Sequence, residues 1–370
     1  MKSLNLLNIL LCKFENCKKQ QNIIFFTILC ILIIIAGFRP IGIDNDSVAY
    51  NEAIKVFIND NFSKLDFSYF EPSFHIIAYL SFLLSNTLPI DTVRLVLIIY
   101  ALLAIPIKIY VIKKEAAYPI FSLYVYLTLY FFLQEFTQIR AAVATSIFLL
   151  ALPDIINKRY FHYIYKILIA TFFHYSSLLA LLLIFVNTKK FNNKLYMILP
   201  IAGIIIAFIP QQYMTYAVKT FVSVVNIPII SDKFYSSFTS KIILLDPIEI
   251  ILKRKLWLSI LCIYYIILYI KIKNILNIDG FDILCLKIIG ISLFFGFSFA
   301  FSKNISLRVP EFFLVILVLF FPRLPLLFDK FISKKIITSC IVIYCFIVLV
   351  VDYMVIRNLV HWGILLKCFH

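Results

Sequence analysis

Glu71 and His75 stand at i and i+4 around Pro72, and Asp46 and Tyr50 are likewise one helical turn apart. A carboxylate beside an imidazole orients the ring and raises its basicity, which is what a general base needs to take the proton of a hydroxyl. The structural alternative is a helix N-terminal acid that complements the dipole, with an interfacial histidine close by. For Glu71 both readings stand; His75 reads as the interfacial residue.

Arg140 opens an apolar run whose next residues, Ala141-Ala142-Val143-Ala144-Thr145, make a small face for close helix packing. Its guanidinium fork fits a phosphate or a carboxylate, and Gln134, Thr137 and Gln138 surround it with further polar groups. An ion pair to Glu135 or Asp46 competes with anion binding. His174, in Thr171-Phe172-Phe173-His174-Tyr175-Ser176-Ser177, lies deep in an apolar segment, where an imidazole without partners is costly. Ser177 and Thr171 are in reach to satisfy it, but in hydrocarbon the balance moves toward function. Arg308 precedes Val309-Pro310-Glu311-Phe312-Phe313 and has an interfacial anchor as its alternative role.

What must position these residues is a bundle in a membrane. The 370-residue chain is 63% hydrophobic and only 15% charged, outside the balance of a soluble domain. Apolar runs lie at about 22–38, 72–88, 91–112, 118–133, 138–152, 161–186, 195–210, 256–270, 282–301, 309–321 and 336–356. They predict an all-α polytopic integral membrane protein of about 10–12 transmembrane or re-entrant helices, one transmembrane domain over 1–370. The runs lack the inside-outside alternation of a barrel. The formal charge of +16 comes from short clusters between apolar runs, so it speaks for loop orientation and against nucleic acid. Eight cysteines without CxxC spacing imply neither disulfides nor a metal site, and no cofactor is expected. Lys2, Lys13, Lys18 and Lys19 ahead of the first run predict a retained signal anchor with a cytoplasmic N-terminus.

Basic clusters at Lys113-Lys114, Lys158-Arg159, Lys189-Lys190, Lys271-Lys273 and Lys330-Lys334-Lys335 are expected inside. Segments 39–71, 134–140, 211–254 and 302–309 then face outward, with 39–71 and 211–254 as the large outer loops; the latter is expected to form surface helices. Lys253-Arg254-Lys255 on the outer side runs against this scheme unless it serves a ligand. Parity raises two further problems. Residues 72–112 read as two spans where the flanking charges require an odd number, and residues 161–186 must cross an even number of times. Two half-length segments meeting near His174 would solve the second case, since irregular backbone is tolerated at depth where protein or water surrounds it.

The order of these features resembles the EpsG-type, Wzy-like polysaccharide polymerase family. An N-terminal helix is followed by an Asp-rich outer segment ending in Tyr50, Glu71-Pro72-Ser73-Phe74, the Arg140 helix, Phe173-His174-Tyr175-Ser176 and Arg308 before Glu311-Phe312-Phe313. The resemblance implies a GT-C-like membrane glycosyltransferase in the bacterial inner membrane. It would join oligosaccharide repeat units carried on undecaprenyl diphosphate into O-antigen, capsule or exopolysaccharide on the outer face. On that reading His174, Asp46 and Glu71 are catalytic, and Arg140, Arg308, Asp44, Tyr50 and Gln138 bind substrate. Its partners are the lipid-linked oligosaccharide and membrane lipid, with a chain-length regulator and a flippase as further candidates. No Gly-rich nucleotide loop is present, as befits a lipid diphosphate leaving group. The competing readings are a polymer ligase, a membrane acyltransferase, a flippase and a non-catalytic assembly protein. A flippase should show repeats and charges near the midplane, whereas here most charges gather toward one edge.

Overall fold

The computed structural model describes residues 18–62, 70–186, 188, 190–209, 212–214, 216–217, 220, 255–272, 278–300, 303–329 and 332–367. Among them are fourteen α-helices. In chain order these are α1 (Lys18–Gly37), α2 (Asn45–Asn59), α3 (Pro72–Ser85), α4 (Thr92–Glu115), α5 (Pro119–Tyr126), α6 (Ile139–Ile156), α7 (Tyr160–Phe173), α8 (Asn193–Ala207), α9 (Lys255–Ile272), α10 (Gly280–Ser298), α11 (Lys303–Leu314), α12 (Leu317–Phe320), α13 (Leu324–Leu327) and α14 (Lys334–Lys367). A π-helical run, Leu127–Glu135, continues α5, and a 3-10 run, Tyr175–Phe185, follows α7.

Six stretches are long and apolar enough to cross a bilayer: Lys19–Gly37, Thr92–Glu115, Ile139–Ile156, Gly280–Ser298, Ile305–Leu327 and Lys334–Val351. Pro72–Ser85, Tyr175–Phe185, Asn193–Ala207 and Leu258–Lys271 are apolar but shorter. The chain is a polytopic membrane protein. Most of the 211–254 loop and the pair Lys253-Arg254 lie outside the described residues, as do residues 1–17, so the surface helices and the start of the anchor expected there do too.

Both parity problems have a structural answer. α3 has 14 residues, about 21 Å of helix, too short to span alone. It runs antiparallel to the 24-residue α4, with Ser73 against Tyr100 (3.3 Å) and Ser85 against Thr92 (3.0 Å). By length the pair therefore supplies one crossing, the odd number that the flanking charges require. α7 and the 3-10 run, 14 and 11 residues, fold back on each other: Tyr163 Oη donates to the Ala180 carbonyl at 2.7 Å and Ser177 Oγ to Thr171 Oγ1 at 3.1 Å. Each arm is about 21–22 Å long, and His174 stands at the apex.

Local chemistry sets the helix starts. Asp44 caps α2 by accepting from the Ser47 N–H (2.7 Å), Asp91 caps α4 through the Arg94 N–H (2.9 Å), and Asp279 with Asp282 forms a capping box on α10. Pro72 and Pro119 sit where a missing N–H costs nothing. Packing without a lipid-to-protein hydrophobic gain depends on close fit. At Gly203 of α8 an added Cβ would lie 2.8 Å from the Phe294 carbonyl oxygen of α10, so these helices touch backbone to backbone. Phe148 of α6 meets Phe312 and Phe313 of α11 at 5.0 and 5.9 Å between ring centroids.

Candidate functional site

The first turns of α3 and α6 and the apex of the α7 hairpin converge on one buried carboxylate. Glu71, the residue ahead of Pro72, is fully buried and makes no side-chain cap to its own helix. One carboxylate oxygen, Oε2, accepts from Arg140 Nη1. The other, Oε1, lies 3.3 Å from His174 Nδ1 and 3.4 Å from the backbone nitrogen of Tyr175, which donates to it. The imidazole at Glu71 is thus that of His174, a hundred residues away in sequence, and not His75. His75, expected to be an interfacial residue, is instead buried with its ring 4.5 Å from that of Phe57.

His174 owes its position to a break in the helix. Its backbone is extended (φ −153°, ψ 115°), between the last turn of α7 and the first of the 3-10 run. Ser177 donates to the carbonyl of His174 (2.8 Å) and to Thr171 (3.1 Å), so these hydroxyls satisfy the backbone bend and not the ring. Both ring nitrogens of His174 are buried: Nδ1 faces Glu71 Oε1 at 3.3 Å outside hydrogen-bond geometry, and Nε2 has no hydrogen-bond partner among the described residues.

Arg140 carries a positive charge at a helix N-terminus, where the dipole opposes it, so helix stability does not explain it. Glu71 and three ring faces hold the guanidinium: Phe70 at 4.8 Å, Tyr50 at 5.6 Å and Phe74 at 6.0 Å. Its Nε is buried without a partner among the described residues. The sequence offered Glu135 or Asp46 as its ion partner, and the structure assigns both elsewhere. Glu135 bonds Lys108 at 2.5 Å, in a fully buried pair joined by Gln134 (2.6 Å to Lys108), whose amide oxygen also accepts from Thr145 (2.8 Å). Asp46 faces Arg308 at 3.5 Å.

The Arg308–Asp46 pair forms the open side of the site. Its side chains are 40% and 30% exposed, against 11% and 0% for Arg140 and Glu71. Exposed pairs contribute only about 0–1 kcal/mol and exchange partners readily, whereas opening a buried pair costs about 3–5 kcal/mol. Tyr50 is buried beneath Arg140, and Gln138 Nε2 donates to Glu311 at 3.2 Å. Asp44 caps α2 two residues from Asp46. All eight candidate positions therefore lie on elements that meet here, His174 and Arg140 around Glu71, and Arg308 around Asp46.

Sequence reasoning passed over Arg39. Arg39 is 2% exposed, and its Nη1 donates to the Glu135 carbonyl at 3.0 Å. The signal was available: an arginine just past the end of the first span, opposite the basic cluster that precedes it, runs against the one-sided bias of basic residues.

No curated protein and no solved structure matches the chain. A family model matches residues 22–361, nearly the whole chain, and covers every residue of the site. The chain therefore belongs to the EpsG family, membrane proteins linked to exopolysaccharide synthesis.

Proposed function

We propose that the protein is a polysaccharide polymerase that joins lipid-linked oligosaccharide units, with undecaprenyl diphosphate as leaving group, on the outer face of the bacterial inner membrane. The observation that carries this reading is the Glu71–His174–Arg140 cluster, in which one ring nitrogen of the buried imidazole lies 3.3 Å from a carboxylate oxygen that is itself paired with a guanidinium.

The chemistry follows from the geometry. Glu71 Oε1 beside Nδ1 favours the tautomer with its proton on Nδ1, which leaves the Nε2 lone pair for an acceptor hydroxyl. As that oxygen attacks the anomeric carbon of the donor unit, its proton passes to Nε2. The bond from the anomeric carbon to the diphosphate breaks, and its electron pair leaves with the lipid diphosphate. Glu71 stabilises the imidazolium that forms, and Arg140 keeps Glu71 ionised through the cycle. Arg308, exposed and loosely paired, is the guanidinium best placed to exchange Asp46 for diphosphate oxygens. Chain-length regulators and flippases are the partners that such a reaction would need.

The test is reconstitution. Purified protein in liposomes, given lipid-linked repeat units, should release undecaprenyl diphosphate and form a ladder of chain lengths on the lipid. Transfer of units only to a different lipid acceptor would instead support a ligase, and movement of units across the bilayer without bond formation a flippase.

A further inference from the structure

The stretch that presents Gln138 and Arg140 to the site is a loop of chain closed at its base by a buried polar junction. Gln134 and Thr145, eleven residues apart, meet where Thr145 Oγ1 donates to Gln134 Oε1 at 2.8 Å. Lys108 reaches the same point from α4: its Nζ donates to Gln134 Oε1 at 2.6 Å and to Glu135 Oε1 at 2.5 Å, and lies 5.5 Å from the centroid of the Tyr126 ring. The turn after α1 joins through the Glu135 carbonyl, which accepts from Arg39 Nη1 at 3.0 Å. Between the two ends of this closure the chain keeps its π winding, with the Phe136 and Gln138 N–H groups donating five residues back to Phe131 (3.1 Å) and Leu133 (3.2 Å). It then starts α6 with Arg140 in the first turn.

The Lys108 and Glu135 side chains are fully buried, and Lys108 sits about two turns inside the inner end of its membrane-crossing helix. Charges there are costly, and well-packed apolar side chains would join the same helices at equal or lower cost. Stability therefore does not account for the junction. A charged, multiply bonded junction does something apolar packing does not: it fixes one register, since sliding any partner by a residue strands a charge in hydrocarbon. The register it fixes is that of the π run. Relaxation to α winding would turn Gln134 and Glu135 off Lys108 and swing Gln138 and Arg140 about the chain axis.

We infer that Lys108 and Glu135 are positioning residues for the joining reaction: with Gln134 and Thr145 they hold the base of the 134–145 loop so that Arg140, midway along it, meets Glu71. Neither touches substrate, and their service to catalysis rests on the polymerase reading. Arg140 in turn keeps Glu71 ionised beside His174, so a junction in the membrane interior governs the alignment of the base. A misplacement of about 1 Å at a reacting centre costs about 10²-fold in rate, so a small slackening of the loop is enough.

The test uses full-length Lys108→Met/Glu135→Gln, which removes both charges together and leaves none stranded. Reconstituted in liposomes, its kcat for chain joining should fall about tenfold or more, with the KM for lipid-linked units within about twofold of wild type because Arg308 is untouched. A second measurement needs no turnover. Glu71→Gln strands Arg140 in the wild-type background and lowers the unfolding midpoint in mixed micelles; where Arg140 is no longer held against Glu71, the same replacement should lower it by about half as much or less. Thr145→Val keeps both charges but cuts the tie between the ends of the loop, and should lower kcat about threefold, the worth of one neutral hydrogen bond. Wild-type kcat in the double variant, or in Thr145→Val should the double variant fail to insert, overturns the positioning role. So does an equal midpoint shift from Glu71→Gln in both backgrounds, which leaves the pair a structural tie. Wild-type protein that joins no units sinks the polymerase reading instead, and the midpoint comparison alone then decides whether the junction places Arg140.

Discussion

Replacing Glu71 separates its two tasks, holding the Arg140 charge and orienting His174. In Glu71→Gln the side chain keeps its shape and an oxygen for Arg140 Nη1 but loses the charge, which leaves a guanidinium that is 11% exposed without a counter-ion. Breaking a buried pair in this way costs about 3–5 kcal/mol, and the three ring faces around Arg140 hold the loss toward the lower end. The double variant Glu71→Gln/Arg140→Met removes both charges and fills the same volume. Its stability should return to within about 1 kcal/mol of wild type, a coupling of at least about 2 kcal/mol between the two sites. Polymer formation should not return with it, because His174 still lacks its carboxylate. The assay is unfolding in mixed micelles alongside ladder formation by the reconstituted protein. Recovery of near-normal ladders in the double variant would show that Glu71 serves only to neutralise Arg140, and the argument for an oriented base would fall.

Three other perturbations follow from the same geometry. Arg308→Ala should raise the KM for lipid-linked units about tenfold or more with an unchanged unfolding midpoint, since its pair with Asp46 is exposed; a large loss of stability instead would make it a structural anchor. Lys108→Met should destabilise by about 3–5 kcal/mol by stranding Glu135, and Lys108→Met/Glu135→Gln should recover most of it, as micelle unfolding will show. In a cysteine-free background, Glu52→Cys should react with an impermeant maleimide in intact cells or spheroplasts and Lys113→Cys only after lysis; the reverse pattern would invert the topology.

The membrane-crossing scaffold was legible because hydropathy is local. Several apolar runs became single helices with ends shifted by only a few residues, from 22–38 to Lys18–Gly37 and from 91–112 to Thr92–Glu115, whereas 118–133, 161–186 and 309–321 are each divided between elements and the helix over 336–356 extends to Lys367. Half-length segments were legible only through charge parity. That argument placed the break at His174 but gave no account of α3, whose pairing with α4 is tertiary. At the site the residue types were readable and the pairings were not. Glu71 has an imidazole one helical turn away at His75, but α3 turns that ring onto Phe57, and a chain reversal 100 residues later brings His174 to the carboxylate. Likewise Arg140 is five residues from Glu135, yet the π-helical run turns Gln134 and Glu135 onto Lys108, a lysine hidden inside the apolar run of α4. Arg39 escaped notice because a basic residue at the end of a span reads as an anchor until its burial is seen.

The most direct measurement of the central claim is the initial rate of chain joining by reconstituted His174→Ala and His174→Gln at wild-type protein levels. A base at Nε2 contributes about 10²–10⁴ in rate, and glutamine, which preserves hydrogen bonding but cannot take the proton, should not restore it. Both variants should therefore leave single units on the lipid while wild type builds long chains. Long chains from His174→Gln at a rate near wild type would contradict the account and reduce His174 to a structural hydrogen-bonding residue at the hairpin apex.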